Sequence, residues 1–302
     1  MNADRPLLGI TLMIGFCAVA PLGDAIAKLL GETIPLAQMI FVRFAAQAIL
    51  LLPIIWATGR SLAMSPRVLR LTVIRTIFHI LGIAAMFSAL RYLPLADAVA
   101  IAFVMPFIML LLGKFVLDEE VGPRRLAACT VGFAGTLLVV QPSFTEVGWP
   151  ALLPFAVAIF FALYMLVSRQ IAKDCDPLCL QAVSGLMATP VLGAALLFGA
   201  GSGIEMLSVT VPNMNETLLL LTIGVLGTLA HLLMTWSLRF APSATLAPMQ
   251  YLEIPFATLL GWMIFSDLPN GLASVGIAIT MAAGLYIVYR ERLTAQPVPA
   301  QT

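Results

Sequence analysis

The sequence predicts an all-α integral membrane protein of ten transmembrane helices, arranged as two inverted five-helix repeats. Three observations predict it. Of the 302 residues 61% are apolar and 10% are charged, with a mean hydropathy of +1.03, whereas about a quarter of the residues of soluble domains are charged. Apolar runs of about 20 residues, enough to cross a bilayer, recur along the chain. The phrase "SALRYLPLADAVA" at 88–100 returns as "WSLRFAPSATLAP" at 236–248.

Runs bounded by charge, Pro or Gly fall at 7–30, 35–58, 68–91, 95–116, 123–141, 149–170, 177–199, 216–240, 243–265 and 270–289. The first contains "FCAVA" at 16–20, a small-x-small pattern of the kind a signal peptidase cuts. The run continues apolar to Leu30, so it is expected to stay as a span. The connections are short except 200–215, where Gly201, Gly203, Pro212 and Asn213 suggest a hinge between halves. An even number of spans puts both termini on one side. That side carries Arg5, Arg60, Arg67, Arg70, Lys114, Arg124, Arg125, Arg169, Lys173, Arg239, Arg290 and Arg292, against Lys28 and Arg91 opposite, so both termini are expected to be cytoplasmic.

The repeated phrase defines the organisation. Leu90, Arg91, Pro94 and Ala96 recur 148 residues on as Leu238, Arg239, Pro242 and Ala244. At 149 residues Pro106, Phe107, Asp118 and Gly135 recur as Pro255, Phe256, Asp267 and Gly284, and a weaker upstream register pairs Lys28 with Arg169 and Pro35 with Pro177. The expected units are 1–144, 145–290 and a short cytoplasmic tail, 291–302. Five spans is an odd number, so the second copy enters from the opposite side, the arrangement on which alternating-access carriers are built. Polar groups scattered singly over several spans, without a ring of charges or carbonyls, favour a carrier over a channel.

An ionisable group inside a span costs a few kcal/mol and persists facing protein or water. The candidates are Asp24, Lys28, Arg43, Arg75, His79, Asp97, His231 and Glu253, with Gln38, Gln47, Tyr164, Trp236, Gln250 and Tyr251 as neutral company. Glu253 lies midway along the ninth span between Pro248 and Pro255, where missing N–H groups free the carbonyls of Ala244 and Tyr251. It is a candidate for substrate binding and for proton coupling, and Gln250 and the Tyr251 carbonyl complete a polar shelf beside it. Arg75 and His79 share a face of the third span at depths of about 12 and 18 Å. Arg43 lies at about 12 Å from the outer end of the second, as a forked donor for a solute oxygen or as the partner of Asp97 or Glu253. Arg75 is either a gate residue or a snorkelling cation. Asp24 and Lys28, four apart, suit an ion pair at the outer mouth. His231, on one face with Thr228 and Thr235, titrates in the range of a second coupling group, as does His79. Phe103, Phe107, Tyr164, Trp236 and Tyr251 offer stacking surfaces or plain packing.

The five-plus-five layout, "ALRYLPLADAVAI…P" entering the fourth span, "SLRFAPSATLAPMQYLEIPF" entering the ninth, and "DEE" at 118–120 before a glycine-rich fifth span resemble the EamA-type drug/metabolite transporters over nearly the whole chain. Within that family the chain is similar to the group that includes bacterial riboflavin transporters, and S-adenosylmethionine carriers are near. The resemblance implies a secondary carrier of the bacterial inner membrane. Its cavity would be lined by the first, third, fourth, sixth, eighth and ninth spans, with the fifth and tenth at the periphery. The small residues of those two spans suit packing, against the bundle or against a second copy in a homodimer.

The expected solute is a small organic metabolite, riboflavin or a related aromatic, acceptor-rich molecule, held by Arg43, His79, Tyr164, Trp236, Gln250, Tyr251 and Glu253. A multidrug or amino-acid exporter of the same fold is the alternative, since a midplane carboxylate also suits cations. A membrane-embedded enzyme would need polar residues clustered at one interface. Cys175 and Cys179 flank "DPL" without a nearby His, and no P-loop, H-E-x-x-H or G-x-S-x-G occurs, so no metal, cofactor, ATPase or hydrolase chemistry is indicated. A net charge of +1 with no basic run gives no basis for nucleic-acid binding.

Overall fold

The computed structural model describes residues 5–294, with side chains for all but 125, 139–143, 248, 287, 288 and 290–294. Residues 295–302 of the expected tail, and the side chains of Arg125, Pro248, Arg290 and Arg292, lie outside the described residues. The described chain forms α1 Pro6–Leu30, α2 Leu36–Ala57, α3 Pro66–Ala89, α4 Leu95–Ala102, α5 Met105–Val116, α6 Pro123–Val147, α7 Leu153–Ile171, α8 Pro177–Gly199, α9 Met214–Phe240, α10 Ser243–Leu246, α11 Glu253–Phe265 and α12 Gly271–Thr294, with short 3₁₀ turns between some of them. No strand occurs among the described residues. Among the described residues seven segments are long and apolar enough to cross a membrane: α1, α2, α3, α4–α5 together, Trp149–Ile171, α8 and α9. Shorter apolar stretches lie in α6 and α12. This is a multi-pass helical membrane protein.

Helix starts follow local chemistry. Proline opens α1, α3, α6 and α8 at the first helical position, where its missing N–H costs nothing. Asn213 and Glu216 form a reciprocal capping box at the start of α9, and Asp176 caps α8 through Leu178 N at 2.9 Å.

Two expected spans are not continuous helices. The run 95–116 breaks at Phe103 and Val104, whose N–H groups turn back to carbonyls three residues earlier. Pro106 two residues later cannot donate to Ala102 and crowds that carbonyl. The run 243–265 likewise passes through a 3₁₀ stretch, Ala247–Leu252, before α11 begins at Glu253; Pro255 removes the bond that would have reached Tyr251. Each of these runs is followed by a left-handed residue, Asp118 at φ 52° and Ser266 at φ 57°, 148 residues apart.

Packing pairs α1 with α9, α3 with α7, α2 with α8 and α6 with α12. In the last pair a Cβ on Gly135 would lie 2.7 Å from the Gly276 carbonyl, so only glycine admits that backbone approach. The small-residue faces expected to serve the bundle or a second copy thus meet each other within one chain. The 200–215 connection, expected as a hinge, is fastened to the bundle at two points. Gln38 of α2 donates to Thr210 O and accepts from Thr210 N, both at 2.9 Å, and Glu205 lies 3.8 Å from Arg91.

Candidate functional site

A cavity lies where the two broken helices meet. Its wall is mostly apolar, with Phe16, Phe87, Phe103 and Phe161 among its rings, and four polar side chains reach it: Asp24 of α1, Arg43 of α2, His231 of α9 and Glu253 of α11. Proline-induced breaks bring Phe103 and Glu253 to this depth, and Glu253 occupies the first turn of α11, the electropositive end of a helix.

Arg43 is 7% exposed, and its guanidinium lies across the face of Gly227. A Cβ there would stand 2.7 Å from Arg43 Cζ. The Phe87 ring lies 5.9 Å from the same carbon. Gly227→Ala is therefore expected to move the guanidinium, the mobile end of a flexible side chain, at a stability cost of under about 1 kcal/mol. Solute affinity should fall several-fold; thermal unfolding and equilibrium binding of the purified variant check the two effects separately.

Beside the cavity is a buried polar cluster. Arg75, with no exposed surface, donates from Nε to Ser168 Oγ at 2.8 Å, from Nη1 to Ser184 Oγ at 2.8 Å, and from Nη2 to Tyr164 Oη at 2.6 Å and Thr235 Oγ1 at 3.4 Å. These hydroxyls come from α7, α8 and α9, so one α3 side chain joins four helices. Arg75 does not snorkel, one of the two roles open for it, because hydroxyl acceptors surround it where the helices cross. His79, one turn on, meets His231 with Nε2···Nε2 at 3.1 Å.

Lys28 does not pair with Asp24. It binds Asp267 Oδ2 at 3.2 Å and Leu93 O at 3.1 Å, while Asp24 is turned one helical turn inward to the cavity that Arg43 also lines. The i,i+4 rule describes an isolated helix, and here a loop from the other half of the chain offers Lys28 a carboxylate. At the opposite end Arg169 does the same. Its Nε donates to Glu119 Oε1 at 3.1 Å and its Nη1 to Leu238 O at 2.5 Å. Glu119 further accepts from Ser243 N and Oγ and from Ala244 N at 2.5–3.2 Å. Each clasp joins a cation of one half to a carboxylate of the other, and each carboxylate follows a left-handed residue. Sequence reasoning singled out Lys28 but not Asp267, Glu119 or Arg169 as partners. The signal was present in the Lys28–Arg169 register and the recurring acid.

The remaining predicted residues lie elsewhere. Tyr164 belongs to the Arg75 cluster and His79 stands behind His231. Gln250 is buried, with Nε2 2.9 Å from Met165 Sδ. Tyr251 points away, donating to Cys129 O of α6 at 3.2 Å. Trp236 packs among Leu51, Cys179 and Leu232. Asp97 is buried in α4. Near Glu253 the carbonyls of Met249 and Gln250 lie 3.6 and 3.9 Å from Cys17 Sγ. Burial pushes the Cys175 thiol up to about 11, which keeps it protonated at neutral pH and a poor metal ligand.

Known proteins align over most of this chain. The chain is 29% identical to a riboflavin transporter of Rhizobium johnstonii, over 72% of this chain and 69% of that one. It is 25% identical to an S-adenosylmethionine uptake transporter of Rickettsia bellii, over 89% of each. A crystal structure of a protein 19% identical superposes with a TM-score of 0.70 over 96% of this chain and 98% of its own, a likeness of fold. The model of the EamA-like transporter family matches twice, at residues 7–141 and 148–290. A cavity framed by broken helices, in a chain matched end to end by that model, makes this protein a member of the EamA-like transporter family, and a transporter rather than an enzyme.

Proposed function

We propose that the protein is a secondary carrier of the bacterial inner membrane that works by alternating access, with two inverted repeats of five spans each. The observation that carries this reading is the pair of clasps. Lys28 with Asp267 and Leu93 O closes one end of the bundle, and Arg169 with Glu119 and Leu238 O closes the other. Exchange of the halves interconverts them, as it interconverts the α1–α9 and α3–α7 packings. A carrier must open one end while the other stays shut, and matched clasps supply a closed state at either end. The basic residues gathered at the Arg169 end, where Arg5 N also bonds Phe240 O at 2.8 Å, support a cytoplasmic location for that end.

The proposed solute is an aromatic, acceptor-rich metabolite of the riboflavin kind. Phenylalanine walls suit a flat ring, Arg43 suits carbonyl or imide oxygens, and Glu253 and Asp24 suit donors. A second reading rests on the same wall: two carboxylates facing one guanidinium also suit a cationic solute such as S-adenosylmethionine, imported or exported.

Proteoliposomes given labelled riboflavin or S-adenosylmethionine, with and without a pH gradient, test both readings. Accumulation of one solute, with a cysteine at Met86 reached by impermeant thiol reagents from either side in turn, is the expected result. A cavity reached from one side only, whatever the solute, would overturn alternating access.

A further inference from the structure

The chain has two histidines, on α3 and α9, and they meet each other. Their Nε2 atoms are 3.1 Å apart and their ring centroids 4.1 Å apart, with 0% and 3% of their surfaces exposed. A hydrogen bond between two Nε2 atoms needs a proton on one ring and a lone pair on the other, so the tautomers must differ.

The neighbouring contacts favour one assignment. Arg75 Nη2 donates to Tyr164 Oη at 2.6 Å, and a guanidinium has no lone pair, so the hydroxyl accepts there and its own hydrogen points elsewhere. The ring nitrogen beside it is His231 Nδ1, at 3.4 Å. That hydrogen is free for His231 Nδ1, and the assignment that uses it makes Nδ1 the acceptor, with the His231 proton on Nε2 and donated to His79 Nε2. The proton of His79 is left on Nδ1, a buried atom without a hydrogen-bond partner. Polarity runs one way, from Arg75 through Tyr164 and His231 to His79.

We propose that His79 and His231 form a dyad that binds one proton, the coupling ion of the carrier, and that Arg75 acts through Tyr164 as its positioning residue. This rests on the transporter reading and adds the identity and seat of the driving ion. His231 lines the cavity while His79 stands behind it against Phe44 and Tyr164, at ring separations of 5.1 and 4.5 Å, so the proton enters at His231. It bonds to Nδ1, the Tyr164 O–H···N bond breaks, and the Tyr164 oxygen then accepts from both Arg75 and His231. Transfer of the Nε2 proton across 3.1 Å moves the charge to His79 without a change in total protonation. A second proton would place two imidazoliums in contact beside Arg75, so the dyad holds one. The charged and titratable groups around it are Arg75 on α3, Arg43 on α2, Tyr164 on α7 and, on the cavity wall that His231 shares, Asp24 of α1 and Glu253 of α11. From α8 come Ser184 and Gln181, which do not titrate. The added positive charge opposes Arg75 across one oxygen and loosens the hydroxyl clamp that ties α3 to α7, α8 and α9. Proton binding is thereby linked to helix movement.

Because only two histidines exist, protein labelled with ¹⁵N-histidine and purified in nanodiscs through a histidine-free tag gives two imidazole spectra and no others. At alkaline pH one ring should be the Nε2–H tautomer and the other Nδ1–H. On acidification both should shift with a single midpoint, and trapped pyranine should report one proton moved per solute. Tyr164→Phe should mix the tautomers of both rings. Arg75→Gln, which removes a nearby cation, should raise the midpoint; if that variant does not fold, the tautomer result in Tyr164→Phe stands alone. Equal tautomers, two separate midpoints, or no titration between about pH 4 and 9 would overturn the dyad. The titration needs no solute. Histidines that never titrate in a protein that accumulates riboflavin or S-adenosylmethionine sink the dyad alone, and a titrating dyad in a protein without two-sided access sinks the carrier reading alone.

Discussion

Glu119→Ala should hold the protein open at its Arg169 end. The substitution removes a carboxylate that accepts four hydrogen bonds, from Arg169 Nε, Ser243 N and Oγ, and Ala244 N. It strands a guanidinium whose side chain is 12% exposed together with the first N–H groups of α10. Breaking a buried pair by deleting one partner costs about 3–5 kcal/mol, because the remaining charge stays desolvated. Opening that end hydrates Arg169, so the cost falls on the closed state, and the equilibrium between the two openings should move by a hundredfold or more. The Lys28–Asp267 clasp is a lesser one, with side chains 19% and 38% exposed. Exposed pairs are worth about 0–1 kcal/mol, so Asp267→Ala should shift the equilibrium the opposite way and only several-fold. On the proposed mechanism, the same inequality predicts that the Lys28 side is the resting opening of the unaltered protein. A cysteine at Met86, in a background without the four native cysteines, reads this out by labelling from each side of oriented vesicles. Equal labelling in Glu119→Ala and its parent would remove the clasps from the mechanism.

Arg43→Ala should cost the carrier about 10–100-fold in solute affinity. A charge-assisted hydrogen bond to a solute oxygen contributes about 1.5–3 kcal/mol, and each 1.4 kcal/mol is tenfold. Asp24 and Glu253 would be left in the cavity without the cation that shares it. Arg43→Lys should recover part of the loss: the charge returns but the fork does not, and an ammonium cannot lie flat across Gly227 between its neighbours. Equilibrium binding of riboflavin and of S-adenosylmethionine separates the two solute readings in the same measurement. A neutral, acceptor-rich solute should weaken on removal of Arg43, whereas a cationic one should hold or tighten. Unchanged affinity for both, in a variant that still binds, would make Arg43 a structural residue.

Composition and run length determined the class of this protein, because burial in lipid demands continuous apolar stretches that are visible one residue at a time. The duplicated phrase and its prolines were legible for the same reason: a missing N–H acts locally, so Pro106 and Pro255 mark the breaks at Phe103 and before Glu253 wherever the helices lie. Ionisable residues inside spans were legible as a short list. Their partners were not. Asp24 and Lys28 share a helix face yet part company, and Arg75 finds hydroxyls from three other helices. His79 and His231, 152 residues apart, touch because α3 and α9 both pack against α7. In helices that are apolar nearly all round, the sequence pattern carries no signal of which face turns inward. Tertiary packing alone supplied that orientation, and with it the separation of the cavity from the buried cluster and from the clasps at its two ends.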